Sequence, residues 1–218
     1  MPRIIDVFLS LVALLLLLPF FVPVVIILVL TGEHKVFYLQ RRVGHQNREF
    51  KIIKFATMHS NSPNMGAGSL TLKNDPRVLP FGFLLRKTKI NELPQILNII
   101  AGDLSIVGPR PQMLVDFEKY SKDVQGRIYN LRPGLTGIGS IVFRDEESLI
   151  SAASEQENPH DYYKRVIAPY KGELEMWYQD RRSFKLDLQL IILTAWVMVS
   201  PKTRLYERWF SDLPRRTF

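Results

Sequence analysis

The feature that most constrains the fold is an almost wholly apolar stretch near the N-terminus, Val7–Leu30, in which Ser10 is the only polar side chain. An α-helix rises about 1.5 Å per residue, so a helix of this length matches the roughly 30 Å hydrocarbon core of a bilayer. Pro19 and Pro23 lie in its middle, and each removes a helical hydrogen bond and crowds the preceding turn. The sequence therefore predicts a membrane-embedded helical segment with a sharp bend at these prolines.

Two topologies are compatible with such a segment. A kinked single span puts its two flanks on opposite sides of the membrane, and hydropathy alone favours this form. A re-entrant helix–break–helix returns both flanks to one face. The flanks are basic on both sides, which under the positive-inside rule places both toward the cytoplasm. The basic residues are Arg3 before the stretch and Lys35, Arg41, Arg42 and Arg48 after it.

Composition narrows the remaining possibilities. The chain has 218 residues, a formal net charge of +8 and no cysteine. This length fits one domain, or one domain plus a membrane element, and the lack of cysteine excludes disulfides and thiolate metal sites. The four histidines suggest no Ser/His/Asp triad, and the sequence has no zinc-site spacing, Walker loop or dinucleotide fingerprint.

A second informative stretch is Leu85–Pro111, which predicts an anion-binding helix start. Asn91 has the short amide of a helix N-cap, Pro94 falls in the first turn, and Gly102 supplies a stop. Glu92 is thereby placed at the positive end of the helix dipole, where free N–H groups attract anions. The predicted apolar face of this helix consists of Leu93, Ile96, Leu97 and Ile100.

Basic residues flank this predicted helix start. Arg86 and Lys87 precede it, and Arg110 lies in the run Gly108-Pro109-Arg110-Pro111. Because the two proline rings stiffen the backbone around Arg110, its guanidinium is preorganised for bidentate phosphate recognition. A carboxylate among phosphates is typical of a divalent metal site, and Mg²⁺ usually takes one or two carboxylates together with phosphate oxygens. The stretch therefore predicts a phosphate site in which Glu92 binds Mg²⁺.

Long, ordered motifs then extend over most of the chain: KFATM, the run NDPRVLPFGFLLRKTKINELPQILNIIAGDLSIVGPRPQM, and LRPGLTG. They resemble the bacterial sugar transferase family, the monotopic phosphoglycosyl transferases that begin glycoconjugate assembly on a polyprenol phosphate carrier. The resemblance implies a ping-pong reaction. An Asp of an Asp-Glu dyad attacks the sugar-linked phosphate of a nucleotide-diphosphate sugar, here expected to be a UDP-sugar. The polyprenol (undecaprenyl) phosphate then accepts the phosphosugar from the enzyme.

The resemblance also implies site residues and a location. It places the catalytic dyad at Asn91 and Glu92, with Glu92 as the metal ligand. It further implies substrate and phosphate contacts from Lys54, Arg77, Arg86, Pro109, Arg110 and Glu175. It favours the re-entrant form of the apolar segment, with the catalytic domain on the cytoplasmic face of the bacterial inner membrane. The implied partners are the nucleotide-diphosphate sugar, polyprenol phosphate and membrane lipid.

The chain departs from the family pattern at the nucleophile, where Asn91 stands in place of the Asp. A carboxylate can attack phosphorus and form an acyl phosphate, whereas a neutral amide is a poor nucleophile. The sequence therefore predicts a family member without its covalent step. Two origins are open at this point: an Asp-to-Asn change introduced to trap a ligand, or a natural pseudoenzyme. The alternative function is accordingly a membrane-anchored pseudoenzyme or scaffold that holds nucleotide-sugar or polyprenol phosphate without turnover and regulates or scaffolds a partner.

These predictions combine into a mostly helical α/β monotopic membrane protein. Residues 1–33 are expected to form the re-entrant membrane helix, residues 34–200 the catalytic domain, and residues 201–218 a basic and aromatic tail. Val36–Met58 predicts two extended segments around a turn, and Leu186–Val199 predicts a buried or interfacial helix. Basic and aromatic residues together also describe nucleic-acid binders. The two apolar segments, Val7–Leu30 and Leu186–Val199, favour membrane binding instead of nucleic-acid binding. The sequence does not specify an oligomeric state.

Overall fold

The structure, a computed structural model, describes residues 1–66, 68–201 and 203–218. Helices predominate, as predicted. The α-helices of the described residues are α1 (Arg3–Leu30), α2 (Pro80–Lys87), α3 (Ile96–Ala101), α4 (Leu114–Phe117), α5 (Lys122–Arg127), α6 (Ile138–Val142), α7 (Glu146–Ala153), α8 (Pro159–Tyr162), α9 (Ala168–Arg181), α10 (Phe184–Val199) and α11 (Leu205–Trp209).

The strands form two small sheets. An antiparallel hairpin joins β1 (Phe37–Val43) to β2 (Glu49–Phe55), and a parallel pair joins β3 (Ser105–Val107) to β4 (Gly134–Thr136). The two predicted extended segments around a turn are thus confirmed, with the short 3₁₀ segment His45–Asn47 between the strands. In the hairpin register Tyr38 lies opposite Lys54. The mostly helical α/β class is confirmed as well.

The apolar N-terminal stretch forms one helix, α1, which contains both Pro19 and Pro23. The predicted break in secondary structure at these prolines is therefore wrong, while the re-entrant topology stays a prediction. The physical reason is that each proline deletes one bond of the helical ladder, while the remaining backbone groups have no better partners in an apolar environment than one another. By length and composition α1 is able to cross a membrane, and only 6% of its most apolar window is buried against the rest of the protein.

The N-terminal end of α1 is fixed to the domain by polar contacts. The Arg3 guanidinium donates to the carbonyl oxygens of Ile99 (2.5 Å) and Ile100 (2.9 Å) at the end of α3. The buried Asp6 carboxylate accepts from the Ser105 hydroxyl (2.7 Å) and from the backbone N–H of Ile106 (3.0 Å) in β3. These contacts give hydrogen-bond partners to carbonyl groups at the C-terminal end of α3 and to a backbone N–H group of β3.

The C-terminal half of α1 is attached to the same domain by apolar packing. Leu28 is buried with Phe55 of β2 and Leu85 of α2, and Phe21 meets the Phe55 ring edge to face at 5.4 Å between centroids. Both ends of the helix therefore contact one body. Between them, side chains such as Leu15 are largely exposed.

The main core lies among α6, α9 and α10, and the last residues of the chain also pack on it. Tyr206, Phe210 and Leu213 are buried, and the Phe210 ring contacts Trp177 of α9. Helix α10 has two different sides. Its buried side consists of Leu186, Leu190, Leu193 and Val197, and its exposed side of Phe184, Leu188, Ile192 and Trp196. An interfacial helix has this division of apolar residues.

Candidate active site

The stretch that carries Asn91 and Glu92 is a 3₁₀ segment, Ile90–Gln95, and the α-helix itself begins only at Ile96. The predicted N-cap role of Asn91 is therefore wrong. The tight turn starts earlier, because Lys89 adopts a left-handed conformation (φ +61°) that reverses the chain after α2. Gly102 ends α3 in the left-handed conformation, as predicted (φ +103°).

This early turn also changes which side chains of the stretch are buried. Of the predicted apolar face, only Ile96 is buried, and Leu97 is 38% exposed. The interior positions are taken instead by Ile99 and by the polar residues Asn91, Gln95 and Asn98. The Asn98 amide accepts from the backbone N–H of Ile53 (2.9 Å), which ties α3 to β2. The segment is thus held against the hairpin by hydrogen bonds as well as by apolar contacts.

Glu92 lies between two cations from distant parts of the chain. Its Oε1 atom accepts from Arg110 Nη2 at 3.1 Å and is 3.5 Å from Lys54 Nζ. The 3₁₀ segment, the Pro-Arg-Pro run and strand β2 each supply one of the three side chains. The structure thus brings together three predicted site residues in one partly buried cluster.

Asn91 is buried beside this cluster, with 5% of its surface exposed. Its Oδ1 atom accepts no hydrogen bond from any residue that the structure describes. A buried amide oxygen without a partner costs free energy, on the order of 1–3 kcal/mol, and is uncommon in folded proteins. The fold itself therefore supplies no partner for this oxygen among the described residues, which leaves it to a ligand or an ordered water.

The backbone of Arg110 is pinned on both sides. Its N–H donates to Glu175 Oε1 (3.3 Å), and its carbonyl accepts from the Tyr129 hydroxyl (2.9 Å), which also accepts from the N–H of Gln112 (2.8 Å). Pro109 acts through its carbonyl, which accepts from the N–H of Gly134 (2.9 Å). The guanidinium is thus presented from a rigid support. Pro109 builds that support and presents no polar side chain of its own.

The cluster has an excess of positive charge. Burial lowers the pKa of Lys54 to about 7 despite the neighbouring Glu92, while the Arg110 and Lys54 cations hold the pKa of Glu92 well below its usual range. The Glu92 carboxylate in turn raises the pKa of Arg110. Two further cations, Lys89 and Arg42, act on these groups. One carboxylate faces several cations, so the site attracts an anion of more than one charge.

Arg42 is a site residue that the sequence reasoning missed. Its guanidinium donates to the Pro111 carbonyl (3.2 Å) and to Gln40 Oε1 (2.6 Å), and burial together with Arg110 lowers its pKa to about 10. The alternation of residues along the hairpin strands could have indicated this role for Arg42. Alternate residues of a strand share a face, and the register pairing Tyr38 with Lys54 puts Arg42 on the same face as Lys54.

The remaining predicted contacts lie at different distances from the cluster. Arg86 is at the edge of the cluster, where its Nη2 donates to Glu147 Oε1 (2.6 Å) and its charge helps to lower the pKa of Lys54.

Arg77 is not part of the cluster and is 2% exposed. It forms a buried pair with Asp75 (2.6 Å), and its other donors bind four backbone carbonyls, those of Ser62, Met65, Gly68 and Leu70. The predicted phosphate contact of Arg77 is therefore replaced by a structural role, because its donors are used within the fold.

Glu175 lies beneath Arg110 instead of facing a ligand. It is 1% exposed, and burial raises its pKa to about 7. Its Oε1 atom accepts a hydrogen bond from the Arg110 N–H, and its Oε2 atom has no partner among the residues described. Gly139 packs so closely that a side chain there would collide with this carboxyl group. Glu175 is thus a positioning residue for Arg110, and its predicted direct contact with substrate is corrected accordingly.

The raised pKa of Glu175 predicts a pH-dependent stability. Below pH 4.5 the carboxyl group is protonated in both the folded and the unfolded chain, whereas above pH 7 the folded chain bears the full cost of a buried anion. Stability from this group should therefore fall as pH rises from 4.5 to above 7, by about 3 kcal/mol at most. Melting temperatures at pH 5 and pH 8 should differ less for Glu175→Gln than for the parent. The control is Glu173→Gln, an exposed carboxylate on the same helix, and an equally reduced difference there would contradict the assignment.

The residues present fit Mg²⁺ as one component of a ternary site. Among the described residues no group of three or more His, Asp or Glu side chains surrounds a common point. A magnesium ion in a phosphate site needs only one or two carboxylates, since substrate oxygens and water complete its octahedron. The Glu92 carboxylate and the unpartnered Asn91 amide oxygen, on adjacent residues, are hard oxygen donors of the kind that Mg²⁺ prefers.

Comparison with known proteins gives one consistent result. The family model described as bacterial sugar transferase matches residues 1–201. The chain is 36% identical over 157 residues to the exopolysaccharide production protein ExoY of Sinorhizobium fredii, which covers 66% of this chain and 69% of that protein. It is 32% identical over 202 residues to UDP-glucose:undecaprenyl-phosphate glucose-1-phosphate transferase of Xanthomonas campestris pv. campestris, which covers 91% of this chain and 38% of that protein.

A third relative comes from Aeromonas hydrophila and is named UDP-N-acetylgalactosamine-undecaprenyl-phosphate N-acetylgalactosaminephosphotransferase. The identity is 34% over 139 residues, covering 63% of this chain and 33% of that protein. The present chain therefore spans about a third of the length of the two named transferases, and about two thirds of the smaller exopolysaccharide protein. The residues matched by the family model, 1–201, contain the cationic cluster formed by Lys54, Glu92 and Arg110.

Proposed function

Because this chain belongs to the bacterial sugar transferase family, we propose that its cationic cluster binds the diphosphate of a nucleotide-diphosphate sugar for transfer of the sugar phosphate to a polyprenyl phosphate. The observation that carries the proposal is the placement of Glu92 between Arg110 (3.1 Å) and Lys54 (3.5 Å). Relatives named for UDP-sugar donors and undecaprenyl phosphate acceptors support both substrate classes.

The roles follow from charge and rigidity. Arg110, held by Glu175 and Tyr129, meets the charge that develops on the transferred phosphoryl group, and Lys54 neutralises a second oxygen. The Glu92 carboxylate and the Asn91 amide oxygen would hold Mg²⁺, which when bound supplies charge neutralisation across the diphosphate. Arg86 stands at the edge of the cluster for the second phosphate-bearing substrate.

The covalent step depends on position 91. With a carboxylate there, one oxygen attacks the sugar-linked phosphorus, the bond from that phosphorus to the bridging oxygen breaks, and nucleoside monophosphate leaves with that oxygen. A phosphate oxygen of the polyprenyl phosphate then attacks the same phosphorus and releases the carboxylate. The Asn91 amide lacks the charge for this attack, so the chain as it stands binds its substrates without forming the intermediate.

A second candidate function follows from the same residue. Asparagine is nearly isosteric with aspartate, and the Asn91 Oδ1 atom meets no partner within the described parts of the chain. A membrane-anchored protein that holds nucleotide-sugar or polyprenyl phosphate without turnover would keep the cluster and dispense with the nucleophile. The two candidate functions predict different results for the Asn91→Asp variant: the transferase gains turnover, and the binding protein does not.

The membrane topology that we propose is re-entrant. Arg3 and Asp6 fix one end of α1 to α3 and β3, and Leu28 fixes the other end to β2 and α2 of the same domain. A helix that fully crossed the bilayer would separate these two attachments. Since the segments on both flanks are basic, the cytoplasmic leaflet of the bacterial inner membrane is the favoured location.

One experiment tests the proposed function. The chain and its Asn91→Asp variant are incubated with UDP-sugars, Mg²⁺ and undecaprenyl phosphate in detergent, and released UMP is measured. Release by the variant only is expected. Binding of the UDP-sugar by both proteins, with no release by either, would favour the non-catalytic candidate, and no binding by either would overturn the proposal altogether.

A further inference from the structure

A small polar cavity of about 110 Å³ lies beside the N-terminal end of α1. Its walls include Asp6 of α1, Ser105 of β3, His45 at the turn of the hairpin, and the two arginines Arg132 and Arg182. A single water molecule needs on the order of 10–15 Å³ of such space, so the cavity has room for a phosphate-sized group. Polar and charged side chains dominate these walls, which suits a hydrophilic ligand.

This cavity is separate from the cationic cluster. His45 lies at the turn of the hairpin, whereas Lys54 is opposite Tyr38 near the other end. The five residues of β1 between these two levels extend roughly 17 Å, since a strand rises about 3.4 Å per residue. Ser105 begins β3, and Arg110 comes only after the strand has ended. A ligand of the cluster therefore leaves this cavity free.

Two guanidinium groups at the cavity have no acidic partner. Arg182 forms no hydrogen bond or ion pair with any residue in the described part of the chain. Arg132 uses its Nε atom alone, which donates to the Gly102 carbonyl (3.0 Å). The preceding residue Arg181, in contrast, is paired with Asp212. Guanidinium groups without a counter-ion attract an anion and are able to bind its oxygens in pairs.

The charges of the walls favour an anion with a single charge. Asp6 is the one carboxylate among the described lining residues, and it is already engaged. Its Oδ2 atom accepts from the Ser105 hydroxyl (2.7 Å), and its Oδ1 atom accepts from the Ile106 N–H (3.0 Å). Two guanidinium groups against one carboxylate leave an excess of one positive charge. A phosphodiester carries one negative charge and matches this excess.

Exposed apolar side chains adjoin the cavity on two elements. Ile4 and Phe8 stand on either side of Asp6 in α1, and both are largely exposed. Phe184, two residues after Arg182 at the start of α10, is about half exposed. Apolar surface beside unpaired arginines is the composition of a protein surface at the level of lipid headgroups.

We propose that this cavity binds the phosphodiester group of an anionic phospholipid, with Arg132 and Arg182 as its hydrogen-bond donors. The acyl chains would then lie over Ile4, Phe8 and Phe184, and the lipid would hold the N-terminal end of α1 at the membrane surface. A zwitterionic headgroup fits less well, because its ammonium group would lie beside two guanidinium groups. Inorganic phosphate offers the same oxygens but has no chains to cover the apolar side chains.

The test is the rise in melting temperature of the full chain in a neutral detergent as a ligand is titrated, since this rise reports the apparent affinity. Dioctanoyl phosphatidylglycerol is expected to give a saturable rise. Dioctanoyl phosphatidylcholine and inorganic phosphate should each require at least about tenfold higher concentrations. Equal affinity for phosphatidylcholine would overturn the preference for an anionic headgroup. Equal affinity for inorganic phosphate would indicate a soluble-anion site and overturn the assignment to a lipid.

Two consecutive arginines supply the matched control. Arg182→Gln should weaken phosphatidylglycerol binding about tenfold, because it removes one charge-assisted donor. Arg181→Gln removes the same charge one residue away, at a guanidinium that Asp212 already occupies, and should change the affinity less than about twofold. Arg182 is exposed, so its replacement should not unfold the chain. Equal losses in the two variants would indicate general charge attraction and overturn the site.

Competition separates this site from the cationic cluster. The rise in melting temperature that phosphatidylglycerol produces should be the same with and without saturating UDP and Mg²⁺. Loss of this rise in the presence of UDP would place the lipid phosphate at Lys54 and Arg110 and overturn the inference. Neither result requires turnover, so UMP release by Asn91→Asp remains an independent test of the proposed function.

Discussion

The Asn91→Asp variant, incubated with its UDP-sugar donor and Mg²⁺ but without lipid acceptor, is expected to gain the mass of one phosphosugar. The carboxylate would be buried beside Lys54 and Arg110, whose charges keep it ionised and therefore nucleophilic. Without acceptor the intermediate has no efficient exit, so it should accumulate in most of the protein. Intact-mass spectrometry measures it directly, and the parent chain should show no adduct.

The matched control keeps the nucleophile and removes its neighbour. In the double variant Asn91→Asp/Glu92→Gln the adduct should form at least about a hundredfold more slowly, since Glu92 is the carboxylate assigned to the metal and removal of one such electrostatic group costs about this much or more. Undecaprenyl phosphate added to the preformed adduct should return the protein to its original mass. UMP release by Asn91→Asp only when undecaprenyl phosphate is present, with no adduct at any time, would contradict the covalent route and indicate direct transfer to the acceptor.

How far the site could be predicted from the sequence depends on the range of the interactions. Glu92 and Arg110 lie within one short stretch, and the stiff Pro-Arg-Pro run made their meeting predictable from local chemistry. Lys54 came from a motif resemblance, because nothing local indicates that β2 passes beside the 3₁₀ segment. Arg42 needed only the hairpin register, which alternation and the turn at His45–Asn47 supply.

The predictions that failed did so for a physical reason in each case. Asn91 has the propensity of an N-cap, but the left-handed Lys89 begins a 3₁₀ turn before it, and tertiary packing buries the amide. Arg77 fits a family motif, yet its donors bind carbonyls of a preceding loop. Which backbone oxygens a loop leaves unpaired is not encoded in local pattern. The same holds for Glu175, whose role emerges only when α9 packs beneath Arg110.

The prediction of a re-entrant segment shows how little prolines and hydropathy alone reveal about membrane topology. Proline content predicted a break, and the structure retains one helix through both prolines. The topology is instead indicated by the pair of attachments at Asp6 and Leu28, which involve β3 and β2. Such contacts lie far apart in sequence, so hydropathy cannot reveal them. A buried acid near the start of an apolar stretch was the local clue, because an unpaired carboxylate there would be costly.

Arg110→Lys and Arg110→Ala, each made in the Asn91→Asp background, should lower kcat/KM for UMP release by about 10² and about 10³ respectively. Lysine retains the charge but loses the planar fork. Alanine also leaves Glu92 with Lys54 as its one direct side-chain partner among the described residues. Arg208→Ala removes an exposed arginine of α11; it is the matched control and should leave the rate unchanged.

Removal of a buried charge partner can destabilise the fold, so the melting temperatures of the Arg110 variants are compared first. Where the alanine variant unfolds, the lysine variant is the decisive one. A folded Arg110→Lys variant with less than about a threefold loss would show that charge alone suffices and that the rigid support from Tyr129 and Glu175 has no catalytic purpose.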